Sequence, residues 1–321
     1  MPSAIVLTEA GGPDVLTLTP VDRPEPGPGQ LLVRVAAAGV NFIETYQRSG
    51  AYPVRYPFTP GAEAAGTVDA VGRDVEGFAP GDRVAFAEGE ATYAEFAVVD
   101  AAKALPVPDG VDLETAAALP LQGMTAHYLV NSTFPVQQDQ TALVHAGAGG
   151  VGLLLIQLLK AKGARVITTV STPEKEELAL GAGADDVLRY EGFADAVRTL
   201  TDGTGADVVY DGVGQATFDE SLRSLRLRGT LVLYGAASGP VEPFDLQRLN
   251  SGGSLFVTRP TLAHHLLSAE ERRWRSEELF GAVTSGTLSV RIGARYPLAD
   301  AARAHEDLQA RRTTGKVLLI P

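Results

Sequence analysis

The sequence predicts an α/β protein of two domains: one β-rich and drawn from both ends of the chain, the other a doubly wound parallel sheet in the middle. Three observations carry the prediction. Residues 141–162 read TALVHAGAGGVGLLLIQLLKAK, which is a short apolar run, four glycines within six residues, and then apolar residues at helical spacing. Downstream, strand-like and helix-like segments alternate as far as residue 257. Upstream, from Ala4 to about Val99, short β-rich runs are separated by glycine and proline. The domains are placed at 1–120, completed by 262–321, and at 121–261.

In the first domain the runs 5–7, 31–36, 65–70 and 83–86 read as strands because turn formers bound each of them. Residues 20–30, PVDRPEPGPGQ, are a loop, being short and running directly into an alternating strand. Residues 77–82, GFAPGD, are a turn. Residues 39–61 also read as a loop, whose three tyrosines suit either the wall of a flat ligand or the cover of a small β domain's edge. After Pro106 the pattern becomes helical at 113–118 and 123–131, where the domain junction is placed. In the middle domain, 165–170, 186–188, 207–211, 229–233 and 254–257 are strands, and 173–182, 193–200 and 218–225 are helices. Thr172 serves as N-cap and Pro173 as first helical residue. Helices at 269–284 and 300–310 and strand-like runs at 290–294 and 316–320 complete the first domain.

Gly147, Gly149 and Gly152 fit G-x-G-x-x-G, a turn that lets a backbone approach a pyrophosphate and leaves its charge at the N-terminus of the next helix. The same spacing serves a plain tight turn, but the flanking strand and helix and the β-α units that follow favour a nucleotide. An NAD site carries an acid about 20 residues further on, at the end of the second strand. Here that strand ends in Thr168, Thr169, Val170 and Ser171, and the first carboxylate is Glu174, inside the next helix. The missing acid disfavours NAD, and also a methyltransferase, which would need the same group. Lys175 lies in the first turn of that helix, where a cation opposes the helix dipole by about 0.3–1 kcal/mol. A 2′-phosphate would turn that charge into a binding group; the alternative is a lysine held by Glu174 and Glu176. The expected cofactor is NADPH.

Twenty-seven basic against thirty-nine acidic residues give a formal net charge of −12, which disfavours nucleic acid and anionic membranes as partners. With no cysteine, disulfides, thiolate nucleophiles and cysteine-ligated metal are excluded. The five histidines show no H-E-x-x-H spacing: His145 reads as a core or supporting residue and His264–His265 as a surface pair. The N-terminus lacks a basic segment before an apolar one, and no run approaches the roughly 18 apolar residues of a membrane span, so a cytoplasmic protein is expected.

Several stretches together are more specific than the Gly turn: GGPDVL (11–16), GVNFIETYQRSGAYP (39–53), AEAAG (62–66), GDRV (81–84), HAGAGGVG (145–152), VVYDGVG (208–214), GSLFVTRP (253–260) and the terminal LLIP. On these the chain resembles, over essentially its whole length, the zinc-independent quinone oxidoreductases, the zeta-crystallin-like branch of the medium-chain dehydrogenase/reductases. The resemblance implies a GroES-like catalytic domain and a Rossmann domain, with the cofactor in the cleft between them. It implies that Asn41, Phe42 and Ile43 line the nicotinamide, with Thr125 and Tyr128 on its other side, and that Gly150 and Val151 meet the pyrophosphate. Ser171, Thr172, Lys175, Tyr190 and Arg311 would surround the 2′-phosphate. Val213, Gly214, Gly235, Ala236, Ala237, Ser238, Phe256, Val257 and Thr258 would border the rest of the dinucleotide. Tyr46, Tyr52 and Arg259 would face the acceptor and, with Asn41, make up the catalytic set. The chain departs from the family pattern at Gln122, where a lysine is common, and at Ala236, where an asparagine occurs; both bear on acceptor preference. Zinc-dependent relatives carry cysteine and histidine where this chain has Asn41 and Ala62, so no catalytic metal is expected.

The expected activity is reduction of a quinone by direct hydride transfer from NADPH. Reduction of an enal, enone or enoyl double bond uses the same cofactor and is the alternative. A cofactor-binding structural or RNA-binding protein is the alternative of another class, and net acidity argues against RNA. A homodimer is expected through the strand at 253–257, whose hydrophobic edge would otherwise be exposed.

Overall fold

The computed structural model describes all 321 residues, and the chain divides into two compact units: Met1–Met124 with Leu267–Pro321, and Thr125–Leu266. The first unit opens with β1 (Ser3–Val6), β2 (Thr17–Pro20), β3 (Gln30–Val40), α1 (Phe42–Arg48), β4 (Ala64–Val71), β5 (Arg83–Phe86), β6 (Phe96–Asp100), β7 (Leu105–Pro106) and α2 (Leu113–Ala118). Helix α3 (Pro120–Tyr128) then leads through one π-helical turn, Leu129–Thr133, into the second unit. That unit runs β8 (Thr141–His145), α4 (Gly150–Ala161), β9 (Arg165–Thr169), α5 (Pro173–Gly181), β10 (Asp186–Leu188), α6 (Phe193–Leu200), β11 (Ala206–Asp211), α7 (Phe218–Ser224), β12 (Leu225–Leu233), α8 (Gln247–Ser251) and β13 (Phe256–Thr258). The chain returns with α9 (Ala269–Thr284), β14 (Ile292–Pro297), α10 (Ala301–Gln309) and β15 (Lys316–Ile320).

The GroES-like unit is a seven-stranded sheet: six strands in the order β14-β15-β3-β4-β5-β7, with β6 added against β3. The long strand β3 is its spine: it pairs antiparallel with β4 and β6, and with the C-terminal strand through Val317↔Val40 and Leu318↔Gly39. Leu31, Val33 and Val35 of β3 and Val317 and Leu319 of β15 share one buried core with Ile5, Phe86 and Tyr93. The last residues of the chain thus fill the centre of a sheet begun near residue 30, because alternate apolar side chains of both strands point into one core.

The Rossmann unit is a six-stranded parallel sheet in the order β10-β9-β8-β11-β12-β13. Leu153, Leu154, Leu155, Ile156 and Leu159 of α4 are buried, each contributing roughly 1.5–3 kcal/mol. The strand order reverses at β8, and a ligand binds such a sheet at the carboxyl ends of the strands beside that switch point.

Several segments differ from the sequence expectation, among them the helix expected at 123–131, which is Pro120–Tyr128, and the strand expected at 290–294, which is Ile292–Pro297. Residues 39–61 are not all loop: Phe42–Arg48 is helical, stabilised where Glu44 Oε2 accepts the Asn41 N–H at 2.7 Å. The last strand of the parallel sheet is Phe256–Thr258, because Gly253 (φ 115°) and Ser254 (φ 56°) are left-handed and cannot enter a strand. Leu225 belongs to β12, its ψ of 145° being extended, so α7 stops at Ser224.

Candidate active site

Around the switch point, the glycines of the turn after β8 have different reasons to be there. A side chain on Gly147 would overlap the Thr168 hydroxyl, and one on Gly152 would overlap the Ala146 carbonyl oxygen. Both are required by internal packing. At Gly149 an added Cβ would lie 3.1 Å from the Ala146 oxygen and 4.0 Å from the Ala146 Cβ, and φ is −77°, so no left-handed backbone demands glycine at this N-cap of α4. Gly150 and Val151 follow as the first residues of α4, a site suited to a pyrophosphate.

The turns after β11 and β12 are knitted together. Ser238 N–H and Oγ both donate to the Val213 carbonyl at 2.8 Å, and Ala237 N–H donates to Gly212 O at 3.2 Å. A Cβ on Gly214 (φ 91°) would lie 2.7 Å from Gly239 O and 3.1 Å from the Ala236 Cα, so Val213, Gly214 and the 235–238 turn form one piece of wall. Phe256, Val257 and Thr258 continue it on the edge strand, with Arg259 exposed just beyond.

Beside β9, Thr172 caps α5 by accepting the Lys175 N–H at 3.3 Å, and Lys175 Nζ reaches Ser171 Oγ at 3.4 Å. The structure brings Ser171, Thr172 and Lys175 together, and pairs Glu176 instead with Arg189 at 2.6 Å. Tyr190 lies at the end of β10, its ring 6.3 Å from that of His145. Arg311 belongs to the other unit, at a left-handed position after α10. Thr125 and Tyr128 are buried, and the Tyr128 ring is stacked on His265 at 4.2 Å and 6°. This corrects one expectation: His265 is half-buried rather than part of a surface pair, and it covers one face of Tyr128.

In the first unit, α1 turns two faces to different surroundings. Glu44, Thr45 and Arg48 are buried, while Phe42, Ile43 and Tyr46 stand on the open side. The Tyr46 ring lies 5.4 Å from that of Tyr52 and 6.4 Å from that of Phe42. Tyr52 is the most open of the three, at 46 % exposed.

Asn41, at the head of this helix, is held by charges that sequence reasoning did not find. Its Oδ1 accepts from Lys316 Nζ at 2.7 Å and its Nδ2 donates to Glu63 Oε2 at 3.0 Å. Lys316 also donates to Glu63 Oε2, whose other oxygen accepts the Leu121 N–H at 2.8 Å. Both charges are essentially inaccessible to water. Gly39 is glycine because a Cβ there would overlap Glu63 and crowd Lys316. With both ends of its amide engaged, Asn41 is a fixed wall rather than a free donor, which narrows the catalytic part expected of it. Glu63 and Lys316 stand in GAEAAG and TTGKVLL, where nothing local shows that they meet.

Glu44, next to this pair, has one oxygen without a partner. Burial pushes its carboxyl up to about 8, against the Lys316 charge and the Asn41 hydrogen bond. Because the folded value is above the ordinary 4.5, the native state holds an extra proton between the two, and this contribution to stability is lost as pH rises through that window. Glu44→Gln is expected to flatten the decline in stability from about pH 5 to 8. Urea midpoints at several pH values check this; equal slopes for both proteins would remove Glu44 as the source.

A Gly-turn Rossmann sheet joined in one chain to a GroES-like barrel is the plan of a dinucleotide-dependent oxidoreductase. Two family models match accordingly, the alcohol dehydrogenase GroES-like domain over residues 27–109 and the zinc-binding dehydrogenase over 150–276. A quinone oxidoreductase of Pseudomonas aeruginosa is 46% identical, with 100% of both chains covered. The chain belongs to the zinc-independent quinone oxidoreductase branch of the medium-chain dehydrogenase/reductases. A mycobacterial structure complexed with NADPH is 54% identical, covers 100% of both chains and superimposes with a TM-score of 0.97. A 2-haloacrylate reductase of a Burkholderia species is 40% identical, covering 100% of this chain and 99% of its own.

Proposed function

We propose that this chain is an NADPH-dependent quinone reductase. The observation that carries the proposal is the join of the Gly149 backbone, at a helix N-terminus on the switch point, to the Ser171–Thr172–Lys175 group after β9, a strand that ends without a carboxylate. The first fits a pyrophosphate and the second a 2′-phosphate. NADPH, when bound, supplies a hydride. The chain's own residues hold flat rings in place: Asn41, Phe42 and Ile43 with Thr125 and Tyr128 for the nicotinamide, and Tyr46, Tyr52 and Arg259 for the acceptor. A quinone that accepts hydride becomes a hydroquinone anion, so the protein's task is alignment and stabilisation of one oxyanion. On this reading the hydride step needs no metal, and the chain has no cysteine to hold one.

Loss of NADPH absorbance on adding a quinone, undiminished by a chelator, is the test. A chain that oxidises no NADPH with any quinone but does so with a haloacrylate or enone would favour the alternative, which the reductase from Burkholderia supports. A binding protein without activity would oxidise it with neither. In single turnover, NADPH deuterated at the transferred position should show a primary isotope effect.

The choice of NADPH over NADH is proposed to rest on Lys175, Tyr190 and Arg311. A charged hydrogen bond to phosphate is worth roughly 1.5–3 kcal/mol, so Lys175→Ala should weaken NADPH at least about tenfold and NADH little. Equal losses for both in a binding titration would refute the assignment.

The outer edge of β13 pairs with no strand of this chain, and Phe256 on it is 60 % exposed. An apolar, unpaired edge favours pairing with a second copy, and we propose a homodimer through it. Light scattering at micromolar concentration should give twice the chain mass; the mass of one chain would count against the dimer.

A further inference from the structure

Beneath the turns of the Rossmann unit runs a chain of buried side-chain hydrogen bonds. His145, the last residue of β8, has Nδ1 2.8 Å from Thr169 Oγ1, at the end of β9, and Nε2 2.9 Å from Ser221 Oγ on α7. Ser221 Oγ donates at 2.9 Å to Oδ2 of Asp211, the last residue of β11. Asp211 in turn accepts the Val213 N–H at 2.8 Å, the Gly214 N–H at 2.9 Å and the Thr217 hydroxyl at 2.7 Å. His145, Thr169, Asp211 and Ser221 are all fully buried, and no cation pairs with the carboxylate.

The direction of every bond follows from the chemistry of the end groups. A carboxylate only accepts, so the single hydroxyl proton of Ser221 is committed to Asp211. Its oxygen must then accept from His145, which fixes the proton on Nε2. In the neutral ring Nδ1 is then the acceptor, and the Thr169 hydroxyl donates to it. The ring is neutral in this arrangement, and burial holds its pKa below the ordinary value against the pull of Asp211 and Glu220; Tyr190 and Phe193 are the other groups facing it. The two ends of the chain reach two ligand-facing turns. Thr169 O accepts the Gly147 N–H at 3.1 Å, and Asp211 gathers the N–H groups of Val213 and Gly214.

We propose that His145 and Asp211 are positioning residues for the dinucleotide. Through this directed chain they lock the turns after β8, β9 and β11 in one arrangement, so that cofactor affinity, rather than the hydride step, depends on them. The proposal rests on the NADPH-binding reading above. Pre-formed turns spare a ligand the cost of ordering them on binding.

Glutamine at 145 can still donate to Ser221 and accept from Thr169, whereas phenylalanine keeps a ring and loses both bonds. By NADPH fluorescence titration, His145→Phe and Asp211→Asn should each raise Kd about tenfold or more, with His145→Gln within about threefold of wild type. At saturating NADPH, kcat should stay within about threefold in all three. If His145→Phe does not fold, as judged by thermal unfolding of the apo chain, Thr169→Val decides. It removes only the first donor from a strand that favours β-branched residues, and should weaken NADPH by about threefold or more. Wild-type Kd in His145→Phe, equal losses in the phenylalanine and glutamine variants, or unchanged Kd in a folded Thr169→Val would overturn the positioning role. A wild-type chain with no affinity for NADPH would instead sink the reading on which it rests.

Discussion

Lys316→Met is expected to destabilise the protein by about 3–5 kcal/mol, the cost of leaving a buried charge without its partner. Glu63 would keep only the Asn41 amide and the Leu121 N–H as hydrogen-bond partners, with no water to replace the ammonium. The same change removes the Lys316 partner of Asn41 Oδ1, leaving the amide held by the capping box of α1 and by Glu63 and the Gly39 carbonyl. The pair itself adds little net stability over a well-packed neutral pair, because both ions were desolvated to form it. Adding Glu63→Gln to the methionine variant should therefore recover most of the loss. Urea unfolding of the four proteins of this cycle measures the coupling; additive losses in the double variant would show that the charges do not act as a pair.

Arg259→Ala and Tyr46→Phe are expected to lower kcat by up to about 10²-fold, the scale of one lost oxyanion donor, with NADPH affinity little changed. Arg259 is exposed beyond the edge strand, with only the neighbouring Pro260 carbonyl as its partner, at 3.3 Å, so its charge is available to a developing anion. Tyr46 is on the open face of α1, half-buried between Phe42 and Tyr52. Removing its hydroxyl keeps the ring and therefore tests donation separately from stacking. Tyr52→Phe, at a more open position, should cost less. Steady-state kinetics with several quinones decide: variants with wild-type kcat for every acceptor would reduce these side chains to packing.

The sequence by itself determined the elements that are held by local chemistry. The turn after β8, the Thr172–Pro173 start of α5 and the strand at 83–86 were legible because glycine, cap and turn-former signals act over a few residues. So was the absence of an acid after β9, on which the choice of cofactor turns. Helix α1 was not legible: it is only seven residues long, and its N-terminal support is a glutamate side chain that reads in sequence as an ordinary surface charge. What only the tertiary structure decided are contacts between residues far apart in the chain. Lys316 meets Asn41 across 275 positions because β15 pairs with β3, and His145 meets Ser221 across 76 because β8 lies beside β11 and α7, which carries Ser221, packs against β11. A buried polar group needs a partner wherever the fold can supply one, so these residues are fixed by sheet topology, which no local pattern records.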